Sequence, residues 1–252
     1  MGKIIVISSG KGGTGKTTTV AAVSSCLAAL GHKTLCIDFD VGLRNLDLAL
    51  CMSEFAVADF TDVLDGRMDL MEACRESPLL PNLFFLGAAA LKRPSDVVAE
   101  ALPDFLRAVK EEFDYCLIDS PSGIGTGFRL SHTAADMSII VVTGEMPSLR
   151  DAQRTAEVIR DIGVDDIRVL INRVRPENFK VTQSTADDII DTVRARLIGV
   201  VYEDPSVFRS LHENTPLVLY RKRLAALEFL DVARRITGED VPLRTHGLSR
   251  LF

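Results

Sequence analysis

Near the amino terminus a short apolar run, Ile4–Ile7, is followed by Gly10-Lys11-Gly12-Gly13-Thr14-Gly15-Lys16-Thr17-Thr18 and then by a helix-length amphipathic stretch. An apolar strand, a glycine loop and a helix in that order bring backbone N–H groups and the positive helix end to one point, where they suit phosphate. Two templates overlap in the loop. Gly10, Gly12 and Gly15, with Asp38 ending the second apolar run, satisfy the GxGxxG dinucleotide fingerprint. Gly10 to Thr17 also satisfy GxxxxGK[ST], a phosphate loop. The residues after the last glycine separate them. A pyrophosphate turn needs small residues there, whereas a triphosphate site uses the Lys16 charge on the β- and γ-phosphates and the Thr17 hydroxyl on Mg²⁺. The segment is therefore read as a phosphate loop in which Gly10, Gly12, Gly13, Thr14, Gly15, Lys16, Thr17 and Thr18 line the phosphates, with Lys11 an additional charge.

The same alternation continues along the 252 residues. Apolar runs recur at Thr34–Ile37, Leu83–Leu86, Tyr115–Ile118, Ser138–Val142, Ile167–Ile171 and Leu197–Val201. They are nearly continuous rather than alternating, as strands buried on both faces of a parallel sheet should be. Between most of them lie amphipathic segments, Gly15–Leu30, Ser95–Phe113, Ser148–Ile162 and Thr185–Arg196. This pattern predicts a single α/β domain, a mostly parallel sheet with helices on both faces. Pro103 is expected to break or kink the Ser95–Phe113 helix.

Composition narrows the function classes. A net charge of −6 argues against a sequence-independent nucleic-acid binder, which needs a basic face. The basic residues of Arg221-Lys222-Arg223 and Arg234-Arg235 are read as solvated helix faces. Cys26, Cys36, Cys51, Cys74 and Cys116 form no CxxC pair, so they read as small core residues of a reducing compartment and not as metal or cluster ligands. With no secretory leader and no apolar stretch of spanning length, a soluble, intracellular protein is expected.

Two carboxylate motifs complete the candidate site. Tyr115-Cys116-Leu117-Ile118-Asp119 is an apolar strand ending in an aspartate suited to holding Mg²⁺. Cys36-Ile37-Asp38-Phe39-Asp40 places two more carboxylates beyond a neighbouring strand, where ligands bind in such sheets.

The GKGGTGKTT loop resembles the deviant Walker A motif of the ParA/MinD family of ATPases. Asp38–Asp47, Asp119–Gly127, Thr143–Ala152 and Glu203–Val207 resemble its MinD branch, the bacterial division-site ATPases. Where that branch usually carries Glu, this chain has Gly125, so no role is carried over there. The resemblance implies a P-loop NTPase-like fold of the SIMIBI class, with ATP and Mg²⁺ as cofactors. It implies that Lys11 crosses a homodimer interface onto the partner's phosphates, that Asp40 positions the attacking water, and that Asn45 lies beside that water. It places Asp38 with Thr17 and Asp119 around the metal or its water, and Glu145 against Lys11 or the partner's nucleotide. Asn172 and Arg173 fall at its adenine-contacting position, where a side-chain amide can read the base edge. The implied activity is slow, partner-stimulated ATP hydrolysis by a switch that dimerises on ATP and sits peripherally on the inner face of the cell membrane. The implied partners are a MinC-like division inhibitor and a MinE-like activator or a polar scaffold. Close alternatives are a ParA-like DNA or plasmid segregation ATPase and a flagellum- or pilus-placing relative.

The chain divides, on this reading, into an ATPase domain over residues 1–237 and a tail over residues 238–252. In the tail, Leu248, Leu251 and Phe252 share one face of a helical turn, with Arg244 and Arg250 placed to meet anionic headgroups. Three such side chains contribute on the order of 5 kcal/mol at best, so one tail is a marginal anchor and two on a dimer hold better.

Overall fold

The computed structural model describes residues 1–40, 45–53, 58–88, 97–175, 177 and 185–244. Among them, eight strands form one sheet in the order β3-β4-β2-β5-β1-β6-β7-β8. These are β1 (Lys3–Ser8), β2 (Thr34–Asp38), β3 (Arg75–Glu76), β4 (Leu83–Leu86), β5 (Tyr115–Asp119), β6 (Met137–Val142), β7 (Ile167–Val174) and β8 (Arg196–Tyr202). Every pairing is parallel except the two-residue β3 against β4. All seven apolar runs read from the sequence lie within strands. β3, whose two residues are both exposed, carries no apolar signal.

The helices cover both faces. On one, α1 (Lys16–Ala29) and α10 (Leu224–Ile236) pack over Ile5, Ile7, Cys36, Leu117, Ile139 and Leu170. Because α1 is covered by the sheet, by α10 at its side and by the segments at Leu46–Ala49 and Leu217–Leu219, most of its residues are buried and it shows no polar stripe. On the other face, α5 (Leu102–Glu112) covers Ile4, Val6, Leu35 and Ile118. Beside it α7 (Met146–Ile162) and α8 (Ala186–Val193) cover Ile140, Val142, Val169 and Ile171. Short helices α2 (Leu46–Ala49), α3 (Phe60–Leu64) and α4 (Leu70–Ala73) follow β2, α6 (Thr126–Ser131) follows β5, and α9 (Pro205–His212) follows β8.

Three expectations are corrected. Pro103 neither breaks nor kinks a helix: a 3₁₀ turn over Ala99–Ala101 leads into α5, and Pro103 occupies its first turn, where a missing N–H costs nothing. The Thr185–Arg196 segment is a helix only to Val193. Thr185 caps its start, accepting from the Asp188 N–H at 3.1 Å, and Arg194 turns left-handed at φ 55° to release the chain into β8. Arg235 is not on a solvated face. Half-buried, it donates to the carbonyls of Ile198, Val241 and Pro242 at 2.8–2.9 Å.

Those contacts belong to a strap. After α10 the chain reverses at Gly238, whose φ of 96° suits a residue without a β-carbon, and runs back along the helix. Arg234 pairs with Glu239 at 2.7 Å, and Arg244 donates to both carboxylate oxygens of buried Asp231, Nη2 at 3.1 Å. Arg244 is therefore engaged within the fold rather than presented to headgroups. Residues 245–252, which carry the rest of the proposed tail, lie outside the described residues, as do residues 41–44 of the Asp38–Asp47 segment.

Candidate nucleotide site

The phosphate loop leaves β1 after Ser8 and enters α1 at Lys16. Gly13 and Gly15 are left-handed, at φ 81° and 93°, which only glycine adopts cheaply. A β-carbon at Gly10 would stand 2.4 Å from the Asp151 backbone, and one at Gly15 2.3 Å from Asn172 Nδ2. At Gly12 and Gly13, among the described residues, nothing lies within 4 Å of that position. This open side of the loop, together with the buried Thr14 hydroxyl that has no hydrogen-bond partner among the described residues, fits a phosphate group and its oxygens.

Lys16 is buried and donates from Nζ to Asp119 Oδ1 at 2.8 Å, while Thr17 Oγ1 donates to Asp119 Oδ2 at 2.6 Å. Asp38 stands beside Asp119 across the β2–β5 ladder and accepts the N–H groups of Asp40 at 2.9 Å and Leu46 at 3.4 Å. Burial, and then the neighbouring Asp119, push the Asp38 carboxyl up to about 7, despite those two N–H groups. Asp40 is also raised by burial, with Lys16 pulling the other way. Oxygen donors grouped around a crowded negative charge suit a hard divalent cation. Among the described residues no three His, Cys, Asp or Glu side chains are grouped to hold a metal ion, so an ion bound there would need further ligands, which phosphate and water can supply. Asn45 precedes α2 and is exposed.

The loop's two lysines behave differently. Lys16 faces inward, whereas Lys11 is 48% exposed and lies 3.7 Å from Glu145, itself 64% exposed, at the start of α7. Glu145 thus meets Lys11 within one chain.

Asn172 and Arg173 reach the loop from β7. Asn172 Nδ2 donates to the Thr14 carbonyl at 2.8 Å, and Arg173 Nη1 to the Gly13 carbonyl at 3.1 Å. Arg173 takes φ 55° where the β7–β8 register slips, and it pairs with Glu203, which also holds Arg175. Beyond them opens a cavity of about 730 Å³, lined by Thr18, Asn172 and Arg173 and walled by Val201, Tyr202, Pro205, Val207, Phe208, Leu211 and Phe229. Its flat, apolar walls and polar rim suit a nucleobase. The sequence reading assigned no role to this wall, because its apolar residues look like core. Phe208, 76% exposed, and Leu211, 45%, are exceptions, but exposure is not legible in a sequence. Asp204, which caps α9 through the Ser206 N–H at 2.8 Å, and Pro205 in its first turn mark the helix start from sequence alone.

The model of the CobQ/CobB/MinD/ParA nucleotide-binding domain matches residues 5–217. The septum site-determining protein MinD of Synechocystis is 39% identical over 244 residues, 96% of this chain and 92% of that protein. Its Bacillus subtilis counterpart is 35% identical, over 97% and 92% of the two chains. Among solved structures, the MinC:MinD cell division complex of Aquifex aeolicus superposes with a TM-score of 0.89 at 36% identity, covering 96% of this chain and 98% of that one. The MinD of Pyrococcus horikoshii complexed with Mg-ADP gives 0.81 at 28% identity, covering 94% and 96%.

Proposed function

The chain belongs to the CobQ/CobB/MinD/ParA nucleotide-binding family and, within it, to the MinD septum site-determining proteins, and on that premise we propose that it works as an ATP-hydrolysing switch which pairs with a second copy of itself. The opposed settings of the two loop lysines carry this reading. Lys16 is buried over Asp119 and serves the chain's own phosphates, while Lys11 stands at the surface beside Glu145, placed for a charge on a facing subunit.

In this reading Lys16 exchanges Asp119 for phosphate oxygens, a charge-assisted contact stronger than a neutral one. Mg²⁺, held by Thr17 with Asp119 and Asp38, would neutralise phosphate charge and draw Asp38 to its ionised form. Asp40 orients the attacking water with Asn45 nearby. Neither is a strong base, so positioning supplies most of the catalysis and turnover is slow until a partner completes the site. Asn172 and Arg173 secure the loop beneath the base. The ATP-bound pair then presents two tails to an anionic membrane surface and recruits a MinC-like division inhibitor. A MinE-like activator or a polar scaffold releases it through hydrolysis. The working place is cytoplasmic and peripheral on the inner membrane. Among the described residues no helix is long and apolar enough to cross a membrane.

Gel filtration of the full chain with ATP or ADP, with and without anionic liposomes, tests the proposal. A dimer with ATP alone, and ATP-dependent pelleting with vesicles, are expected. Lys11→Ala should bind nucleotide as a monomer yet neither dimerise nor hydrolyse. Normal ATP-driven dimerisation of that variant would overturn the cross-subunit role.

A further inference from the structure

His132 lies outside the nucleotide site, yet its ring touches the strands that build it. It caps the end of α6 and is buried to 1% exposure. Burial keeps the imidazole neutral by pushing its pKa down to about 4. A neutral ring has one N–H and one lone pair, and its neighbours decide which nitrogen carries which. Nδ1 lies 2.8 Å from the Phe128 carbonyl, which only accepts, so the proton belongs on Nδ1. The Nε2 lone pair is then free for the hydroxyls of Ser8 at 3.1 Å and Ser138 at 3.2 Å. Ser138 has a second acceptor, the Val6 carbonyl at 3.4 Å. Among the described residues, the Ser8 hydroxyl has only His132.

Ser8 closes β1, and the phosphate loop starts immediately after it. α6 is reached from Asp119 through residues 120–125. The segment and α6, taken together, are therefore tied at both ends to the loop or to the strand that leads into it. Lys16 and Thr17 hold Asp119 at its start, and the His132–Ser8 bond holds the far end of α6. The Ser120 N–H, donated to the Ile7 carbonyl at 3.3 Å, adds a third tie.

We propose, on the ATPase reading of the site, that His132 is a positioning residue for phosphate-bond cleavage, holding residues 120–125 in register with the phosphate loop through Ser8. Nucleotide affinity comes from the glycine loop, Lys16 and the base cavity, none of which residues 120–125 supply. Loosening the tie should therefore lower kcat and leave KM alone. A misplacement near 1 Å costs up to about 100-fold in rate, so a partial loosening is expected to cost about tenfold.

The test is steady-state ATP turnover of the full chain with magnesium for the parent, Ser8→Ala, His132→Leu, their double variant, His132→Gln and Ser138→Ala. Ser8→Ala and His132→Leu should each lose about tenfold in kcat with KM within about twofold, and the double variant should be no worse than either. His132→Gln, whose amide reaches the Nε2 position, should recover most of the rate. Ser138→Ala should match the parent, because the Ser8 bond survives. The proposal is overturned by a parent-like kcat in Ser8→Ala, by KM rising in step with the fall in kcat, or by losses that multiply in the double variant. Should His132→Leu not fold, Ser8→Ala, which deletes one oxygen, decides alone. A parent without turnover sinks the ATPase reading and this proposal together, while an active parent beside an unaffected Ser8→Ala sinks this proposal only.

Discussion

Replacing Glu228 by Gln should stabilise the protein, and by an amount that grows with pH. Glu228 sits on α10 at 2% exposure, accepts the Tyr202 N–H on Oε2 at 2.9 Å and leaves Oε1 buried without a hydrogen-bond partner among the described residues. Burial pushes its carboxyl up to about 8, and Asp204 and Asp231 add to this, while the Tyr202 N–H and Arg244 pull it down. An unfolded chain releases this proton near pH 4.5, whereas the folded one keeps it to about 8. The stabilising contribution is therefore complete below pH 4.5 and drains away as pH rises, by up to about 1.4 kcal/mol per unit. Across the interval the loss is about 5 kcal/mol at most, a large share of a typical domain's stability. Glutamine retains an acceptor for Tyr202 and puts an NH₂ where the protonated acid has its O–H, so it resembles the uncharged form without titrating. Urea denaturation of the nucleotide-free parent and Glu228→Gln between pH 5 and 8 reads the effect as a difference, because groups away from Glu228 titrate alike in the two. The variant's advantage should be within about 1 kcal/mol at pH 5 and about 3–5 kcal/mol at pH 8, a midpoint shift of more than roughly 1 M urea. A difference that stays flat over this range would refute the reasoning.

Two further substitutions probe the loop and the strap. Gly15→Ala forces a β-carbon against Asn172 Nδ2 and a left-handed backbone on an L residue, costing about 1–2 kcal/mol. It should also weaken nucleotide binding more than about tenfold, and calorimetric titration showing parent affinity would contradict that geometry. Asp231→Asn leaves Arg244 without its charge partner and should free the strap, so limited proteolysis after Arg244 should quicken severalfold while nucleotide affinity holds. An unchanged cleavage rate would mean that Arg235 alone retains the strap.

The parts of the fold legible in the sequence are those written in neighbouring residues. A strand buried on both faces is apolar at every position, so β1 and β5 declare themselves, and the loop's glycines and Lys16 are contiguous. Relations between distant residues are not so written. Ser8 and His132 are 124 positions apart, and either alone reads as an ordinary core or turn residue. Asn172 illustrates a half-legible case. The resemblance implies that it reads the base, and the structure adds that one of its two amide N–H groups is given to the Thr14 carbonyl, leaving the second N–H and the carbonyl oxygen for a ligand. Pro103 misled because a proline inside an apolar pattern signals a break only if the helix already runs through it, and here the helix begins beside it. Arg235 and Arg244 look like solvent-facing charge until the reversal at Gly238 brings backbone carbonyls and Asp231 to them.

Each margin of the sheet carries a guard against further pairing. On one side β3 consists of the charged pair Arg75–Glu76 alone. On the other, the Ile198 carbonyl of β8 is taken by Arg235. Exposed strand borders recruit further copies without limit and build fibres. With that little backbone on offer, the sheet is a poor template for an added strand, and endless growth by edge pairing is disfavoured.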